Sequence, residues 1–420
     1  MSFDKRILTV SLARGIDMFS ISILVVVLPL YVAGDQIIID YLTKKSILGF
    51  PISREFLIGV ALSISILVSA ILTPYFGRIS DKLQKRKIFI SLGLILLIVS
   101  TPLYFYAQSY YTVLGLRLIQ GISGALVAPA SLAMVNEYAK DNNNHGESFG
   151  YYNTIRLIGF GIGPVVAGFV ISQGPYTVFS KQISSIDATF YIMMAFIIIA
   201  FVLLQFFVDE PKFKSDTSNK KQNSIRNIIH KKEFKFVLIF ALATFWLSAS
   251  INMFATLEHE INTRFDQSST WFGLQFSAAL LANIITQTPI GKASDKYDKK
   301  PFIILGFIIL IPVITLQGFA MNSQQMIILR LLQGMSAALV FIPSLTYVGE
   351  ISDSETSGFF LSLMSASFSL GLAIGPLASG ILFTLGGFEL PFITAGFFSL
   401  FGLIVIIMLT PKIENNISMN

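Results

Sequence analysis

The sequence predicts an all-α membrane protein, twelve transmembrane helices in two pseudo-symmetric six-helix bundles, and three observations carry that expectation. Only 13% of the 420 residues are charged while 54% are hydrophobic, and the mean hydropathy is +0.71. A soluble domain carries about 25% charged residues, so this chain lacks the polar side chains to cover a globule. Second, uncharged apolar runs recur along the chain, such as "ATFYIMMAFIIIAFVLLQFFV" at 188–208. Each is long enough to cross about 30 Å of hydrocarbon as a helix of about 20 residues. Third, several phrases return further along the chain at a nearly constant offset.

In order, the apolar runs place spans at 8–33, 56–76, 88–107, 110–135, 147–172 and 188–208, then at 234–257, 270–290, 302–321, 324–348, 357–383 and 390–410. The first run follows a basic start but is too long for a signal peptide, and Arg14 and Asp17 interrupt its beginning, so it reads as a span. The second and third spans are joined by "GRISDKLQKRK" (77–87), and "GKASDKYDKKP" (291–301) joins the eighth and ninth. "RLIQGISGA" (117–125) in the fourth span returns as "RLLQGMSAA" (330–338) in the tenth, and "SLAMVNE", ending at Glu137, returns as "SLTYVGE", ending at Glu350. "GFGIGPVVAG" (159–168) in the fifth returns as "GLAIGPLASG" (371–380) in the eleventh. Independent phrases at one spacing indicate two homologous halves. Six is even, so both halves enter the membrane from the same side and are parallel repeats about an axis along its normal. The divisions are a bundle at 1–208, a polar, basic linker at 209–233 that lies on an anionic leaflet, and a bundle at 234–420.

With the N-terminus in the cytoplasm, cytoplasmic segments hold 21 of the 30 Lys and Arg and external loops hold five. That asymmetry predicts a cell-membrane protein with both termini inside. The same bias accounts for the net charge of +6, so no nucleic-acid partner is expected. Lys87 and Lys299 read as topogenic charges and nothing more. There are no cysteines and the three histidines are far apart, which leaves no thiolate or zinc-like metal site. No cofactor is expected. With neither a nucleotide-binding P-loop nor a nucleophile elbow in the text, the chain reads as a secondary transporter rather than an ATP-driven pump or an enzyme.

Charges inside spans are costly and face the protein interior. They are Arg14, Asp17, Arg117, Arg156 and Arg330. Arg14 and Asp17, three apart, share a helix face. Asp17 is either a proton carrier, neutralised when the substrate cavity desolvates it, or one member of a structural ion pair. Arg156 either binds an anionic part of a substrate or caps local carbonyls. The eighth span carries Gln275, Asn283 and Gln287, amides that either glue helices or line a cavity. Glu258 and Glu260, around the outer end of the seventh span, read as solvated. Gly159, Gly163 and Ala167 form a smooth stripe for close packing, copied by Gly371, Gly375 and Ser379, and Pro164 and Pro376 follow within those phrases.

Taken together these motifs resemble the major facilitator superfamily, and within it the twelve-span drug:proton antiporters, from about residue 8 to 411. Gly77, Ile79, Ser80, Asp81, Lys82, Lys85 and Arg86 fit the family's loop between spans two and three, with Asp295 in the second copy. Gln84 and Asp298 replace its inner glycine, and Gln tolerates positive φ poorly, so a changed turn is expected. Arg117, Gln120, Gly121 and Ala125 fit the fourth-span motif. Gly150, Gly159, Gly163, Pro164 and Gly168 fit the fifth-span motif, and Asp17, Pro29 and Leu30 fit the first span of drug exporters.

The resemblance implies the major facilitator fold, with the fifth and eleventh spans facing the opposite half. It implies a breakable latch in which Asp81 sits against the start of the eleventh span near Ser357 and Glu137 pairs with Lys82 or Lys85. It also implies an Arg117 that competes for Asp17 in proton coupling. Gln120, Arg156 and Asn283 are the expected substrate contacts. The expected activity is proton-coupled efflux of lipophilic or amphipathic small molecules by a monomer in the lipid bilayer. A proton-coupled uptake symporter or facilitator of a small organic solute is the alternative, and a non-transporting sensor or lipid flippase is a third.

Overall fold

Backbone that crosses lipid has no hydrogen-bond partner except itself, and helices satisfy that demand segment by segment. The computed structural model describes residues 5–34, 40–43, 46–47, 50–142, 145–178, 181–210, 232–352 and 357–409. Twelve long helices make up most of it. The first half holds α1 (Lys5–Ala33), α2 (Arg54–Leu83), α3 (Arg86–Ser100, continued by a 3₁₀ stretch Thr101–Tyr106), α4 (Tyr110–Asn142), α5 (His145–Gln173) and α6 (Ser185–Phe207). The second holds α7 (Lys232–Asn252, then 3₁₀ over Met253–Thr256), α8 (Ser269–Lys296), α9 (Lys299–Gln317), α10 (Ser323–Glu350), α11 (Ser357–Gly386) and α12 (Glu389–Leu409). A short helix, Glu258–Arg264, joins α7 to α8.

Several helices outrun their apolar cores. α2 continues seven residues past the predicted end at 76, and α8 runs to Lys296 rather than 290. The doubled charged phrase is therefore mostly the last turns of α2 and α8. Hydropathy marks only the part that crosses lipid, whereas the backbone ladder continues into water where charged side chains are solvated. The turns differ between the copies. Gln84 ends α2 in the left-handed region at φ 52°, so the glycine geometry survives its replacement. Asp298 instead has φ −57° and caps α9, its Oδ1 accepting the Lys300 N–H at 3.2 Å.

Among the described residues, eleven of the twelve long helices are apolar enough to cross a membrane on composition; α8, with its amides and hydroxyls, is the exception. Its place explains this, since it lies between α10 and α5.

Within each half the glycine stripes serve the first helix. A Cβ at Gly159 would lie 2.0 Å from the Gly15 carbonyl oxygen of α1, and one at Gly163 would lie 2.0 Å from Ser22 Oγ. Gly371 and Gly375 meet Ser248 and Ala249 of α7 in the same way. The expectation that these stripes face the opposite half holds only further along α5 and α11. Gly150 packs on nothing: it is exposed, with no atom within 4 Å of its would-be Cβ.

The halves meet along two crossings, α2 with α11 and α5 with α8. A Cβ at Gly59 would lie 2.3 Å from the Pro376 carbonyl oxygen, and at Gly273 2.2 Å from that of Pro164. Gly168 approaches Ser269 and Gly380 approaches Glu55 just as closely, at 2.2 and 2.4 Å to the carbonyl oxygens. Hydroxyls cross the same seams: Ser172 with Thr270 at 2.6 Å, Thr384 with Ser53 at 2.6 Å, and Thr270 donating to the Gly168 carbonyl at 3.1 Å. These contacts gather at the end remote from the basic turns. One hydrophobic cluster fills that far end, joining Leu28 and Tyr31 of α1 and Leu57 and Ile58 of α2 to Phe254, Leu257 and Phe272 of the second half. Along α2, Leu57, Ile58, Gly59, Ala61 and Leu62 are buried, but no residue from 66 to 79 is. The seam is thus closed at the far end and open towards the basic one.

Valine at Gly168 and Gly380 should prop the far end apart, each substitution costing the closed form about 1–3 kcal/mol. The chain has no native cysteine, so spin labels at Gln173→Cys and Gln324→Cys report that end cleanly. A longer 173–324 distance is expected, and an unchanged distribution would show that these glycines do not set closure.

Candidate functional site

The first charged constellation grows from α1. Arg14 and Asp17, one turn apart, form an ion pair in which Arg14 Nη1 donates to Asp17 Oδ2. Asp17 is fully buried, and its second oxygen, Oδ1, has no hydrogen-bond partner; nor has Arg14 Nε. α5 packs directly on α1 and brings Arg156 near Arg14. Arg156 is half-buried, and its Nε and Nη2 donate to Asn153 Oδ1 at 3.2 and 2.8 Å. Beside it, the Tyr152 hydroxyl meets Ser131 Oγ of α4 at 2.7 Å. Asp17 is thus paired with Arg14 alone, while Arg156 of α5 lies nearby in the unsealed part of the seam. Of the sequence-predicted substrate contacts, Arg156 is a partly exposed one close to the Arg14–Asp17 pair on α1.

Arg117 does not join this group. Its Nε donates to the Ala61 carbonyl at 2.8 Å, Nη2 to the Leu62 carbonyl at 3.2 Å and to Ser65 Oγ, and Nη1 to Gln120 Oε1 at 2.8 Å. The expected competition for Asp17 is absent from this conformation because the guanidinium is occupied by α2 backbone. Gln120 is likewise buried, also accepting from the Tyr104 hydroxyl at 3.3 Å, so it lies inside the clamp rather than in the open seam. The second half repeats the device. Arg330 Nε donates to the Gln275 carbonyl of α8 at 3.1 Å, Nη1 to Gln333 Oε1 at 2.6 Å, and the guanidinium lies 4.0 Å over the Phe254 ring. Gln333 also accepts from Gln317 at 3.0 Å. Each arginine fixes a seam helix, α2 or α8, to α4 or α10 of its own half.

On α8, Asn283 is half-buried and donates to the Gly334 carbonyl of α10 at 3.2 Å, while Gln287 donates to Asn283 Oδ1. That contact makes Asn283 a link between α8 and α10.

At the basic end, Lys82, Lys85 and Asp295 are exposed, and Gly77 faces Pro129 of α4, 3.5 Å from a would-be Cβ. The Asp81 and Ser357 side chains lie outside the described residues, and with them the expected latch. Arg86 is buried and its Nη1 donates to Ser80 Oγ at 2.9 Å. Sequence reasoning missed Glu210. Its carboxylate accepts from the backbone N–H of Arg86 and from that of Lys87, the latter at 3.1 Å, so the first linker residues cap α3. Lys87 and Lys299 are more than topogenic. Lys87 Nζ donates to the Gln205 carbonyl at 3.0 Å, and Lys299 pairs with Glu350 at 2.7 Å.

Glu258 also departs from its expected place. It is not solvated but 0% exposed, under the seam at the far end. No sequence signal separated it from Glu260, two residues on and half-buried.

Two repeated helical bundles that close at one end and carry buried charge beside an open seam define a polytopic membrane transporter of the secondary kind. The sequence model of the Major Facilitator Superfamily matches residues 10–258 and 238–418. The chain belongs to that superfamily. It is 24% identical over 332 residues to the multi-drug resistance efflux pump PmrA homolog of Lactococcus lactis subsp. lactis (strain IL1403), covering 77% of this chain and 78% of that one. With quinolone resistance protein NorA of Staphylococcus aureus (strain COL) it shares 25% identity over 354 residues, 84% of this chain and 87% of the other. In fold it is similar to a bacterial homolog of the human lysosomal transporter Spinster in an inward-facing and occupied conformation, with a TM-score of 0.79, 12% identity and 97% of both chains covered. A D-xylose-proton symporter superposes with a TM-score of 0.74 at 15% identity, over 97% of this chain and 98% of that one. These two likenesses carry the fold alone.

Lysine keeps the charge of Arg117 but cannot span its four acceptors. Arg117→Lys should therefore lower stability by about 2–3 kcal/mol, the scale of lost hydrogen bonds to a charged group. The check is thermal unfolding in detergent, and an unshifted midpoint would mean that α2 is held to α4 by packing alone.

Proposed function

We propose that the protein is a proton-coupled exporter of lipophilic or amphipathic small molecules, working by alternating access as a monomer in the cell membrane, with both termini cytoplasmic. The observation that carries the coupling is the pair on α1. Asp17 is fully buried with one oxygen paired to Arg14 and the other unpaired. A carboxylate held this way is balanced between two states. Ionised, it neutralises Arg14; protonated, it frees Arg14 next to Arg156. Since Arg156 is half-buried in the open part of the seam, that change alters the charge presented to a substrate there. Arg156 then receives an anionic or polar end of the substrate while apolar seam residues such as Phe160 and Phe276, whose ring centroids lie 6.1 Å apart, meet its greasy part.

With the basic turns in the cytoplasm, the described conformation is open inward and closed outward. The names of the two relatives above, both efflux pumps or resistance proteins, support export. Net movement into the cell in oriented proteoliposomes would instead favour an uptake symporter.

At the basic end, Asp81 is proposed to latch onto the start of α11 when that end closes, with Glu137 engaging Lys82 or Lys85 and Asp295 occupying the matching position in the second half. A carboxylate at a helix N-terminus gains only about 0.3–2 kcal/mol, which suits a contact broken in every cycle.

Two outcomes test these roles. Asp17→Asn should abolish transport driven by a pH gradient while substrate binding persists; full proton coupling in that variant would end the carrier role. Asp81→Asn should insert and fold normally but turn over several-fold more slowly, measured as dye efflux at matched expression. Equal rates would discard the latch.

A further inference from the structure

We infer that Glu258 is a second proton-binding site, one that controls closure of the far-end seam: its carboxyl is neutral while the seam is shut and ionises when the seam opens to water. The inference rests on the alternating-access reading above but not on any role for Asp17.

The geometry is specific. Glu258 begins the short helix that packs on α1 and α8, where the halves meet. It is 0% exposed, and neither of its carboxyl oxygens has a hydrogen-bond partner. Its neighbours in the chain, Phe254, Leu257 and Ile261, belong to the apolar cluster that also contains Leu28 and Tyr31 of α1 and Leu57 of α2. A carboxylate in such a place is neutralised rather than kept charged. A buried acid is ordinarily rescued by a cation, and among the described residues none is paired with this one.

Among the described residues, the titratable groups on the elements around it are engaged elsewhere or distant in sequence register. α1 brings Tyr31, whose hydroxyl donates to the Ala107 carbonyl at 3.0 Å. α2 brings Glu55, which is influenced by Glu260 and His259 rather than by Glu258. α8 has no ionisable residue before Lys292, and α11 has none at all. On α10, Arg330 is engaged by Gln275 and Gln333. Arg264, on the same short helix, is bound to Glu389 of α12 at 2.7 Å. Burial therefore pushes the Glu258 carboxyl well above the usual carboxylate range, and the nearby Ser269 and Asn262 side chains, outside hydrogen-bonding geometry, oppose it by less.

The sign follows from linkage. The closed seam holds the raised value, and the open seam restores hydration and an ordinary value of about 4.3. Protons thus favour closure. That advantage is complete below the ordinary value and is lost as pH rises through the raised one. For an exporter, external acid would then drive the return from the outward-open to the inward-open form.

The test uses the full chain in lipid nanodiscs, without substrate or gradient, and the 173–324 label pair. The 173–324 distance should lengthen in the otherwise native chain as the bath is raised from about pH 5 to about pH 8. In Glu258→Gln that lengthening should be lost, with the short distance kept throughout. Glu258→Ala, which removes the acid without adding an amide, should also lose the pH response. A pH-dependent lengthening retained in both variants, or absent from the native chain, would overturn the inference. Because no flux is measured, either result is independent of the Asp17 transport test.

Discussion

The structure depends on one constraint: two pairs of helices from opposite halves approach until backbone meets backbone. Lipid tails are as apolar as the side chains that would leave them, so burying apolar surface between helices gives little in a bilayer. Affinity between the halves must come from close contact and a few hydrogen bonds. Gly59 against Pro376 and Gly273 against Pro164 provide the first, related by the internal duplication, and the crossing hydroxyls provide the second. Dispersion falls off steeply over a fraction of an ångström. A seam of this kind is therefore closed or open with little between, as a two-state device needs.

A seam can rock only if each half moves as a unit, and the buried arginines supply that cohesion. Arg117 and Arg330 hold α2 and α8 to their neighbours through carbonyl and amide oxygens, not through acids. Neither carbonyls nor amides titrate near neutrality, so the clamps are indifferent to pH. Among the described residues the buried carboxyls are Asp17, Glu55 and Glu258, and the proton roles proposed above fall to the first and last of them. The molecule thus separates fixed charge, which keeps each half intact, from labile charge, which can bias one half against the other.

How much of this was legible in the sequence follows from the range of each interaction. The twelve spans and the duplication are local or repeated patterns, and they appear in the text directly. Helix ends past the lipid boundary are not, because hydropathy falls at the first Lys while the backbone of α2 and α8 continues. The partners of intramembrane charges are decided by which helices touch. Arg14 with Asp17 was readable at a spacing of three, whereas Arg117 with the Ala61 carbonyl requires α2 on α4, 56 residues away. Glu258 was misplaced for a related reason. Adjacent to His259 and Glu260, it reads as part of a polar cap; only the packing of the short helix on α1 and α8 puts it inside.

The departures from pseudo-symmetry concern the buried acids. The halves are parallel repeats about an axis along the membrane normal, so the duplication relates one half to the other and leaves the two faces of the membrane distinct. The seam glycines and clamp arginines are duplicated faithfully, but the acids are not. Asp17 lies in the first half, on the part of α1 nearer the basic end, whereas Glu258 lies in the second half at the far end, between α7 and α8. The repeated elements build the seam and its clamps, and the unrepeated acids are where the proposed proton dependence enters. In the proposed cycle, a proton taken up at the far end would meet Glu258, and one exchanged nearer the basic end would meet Asp17.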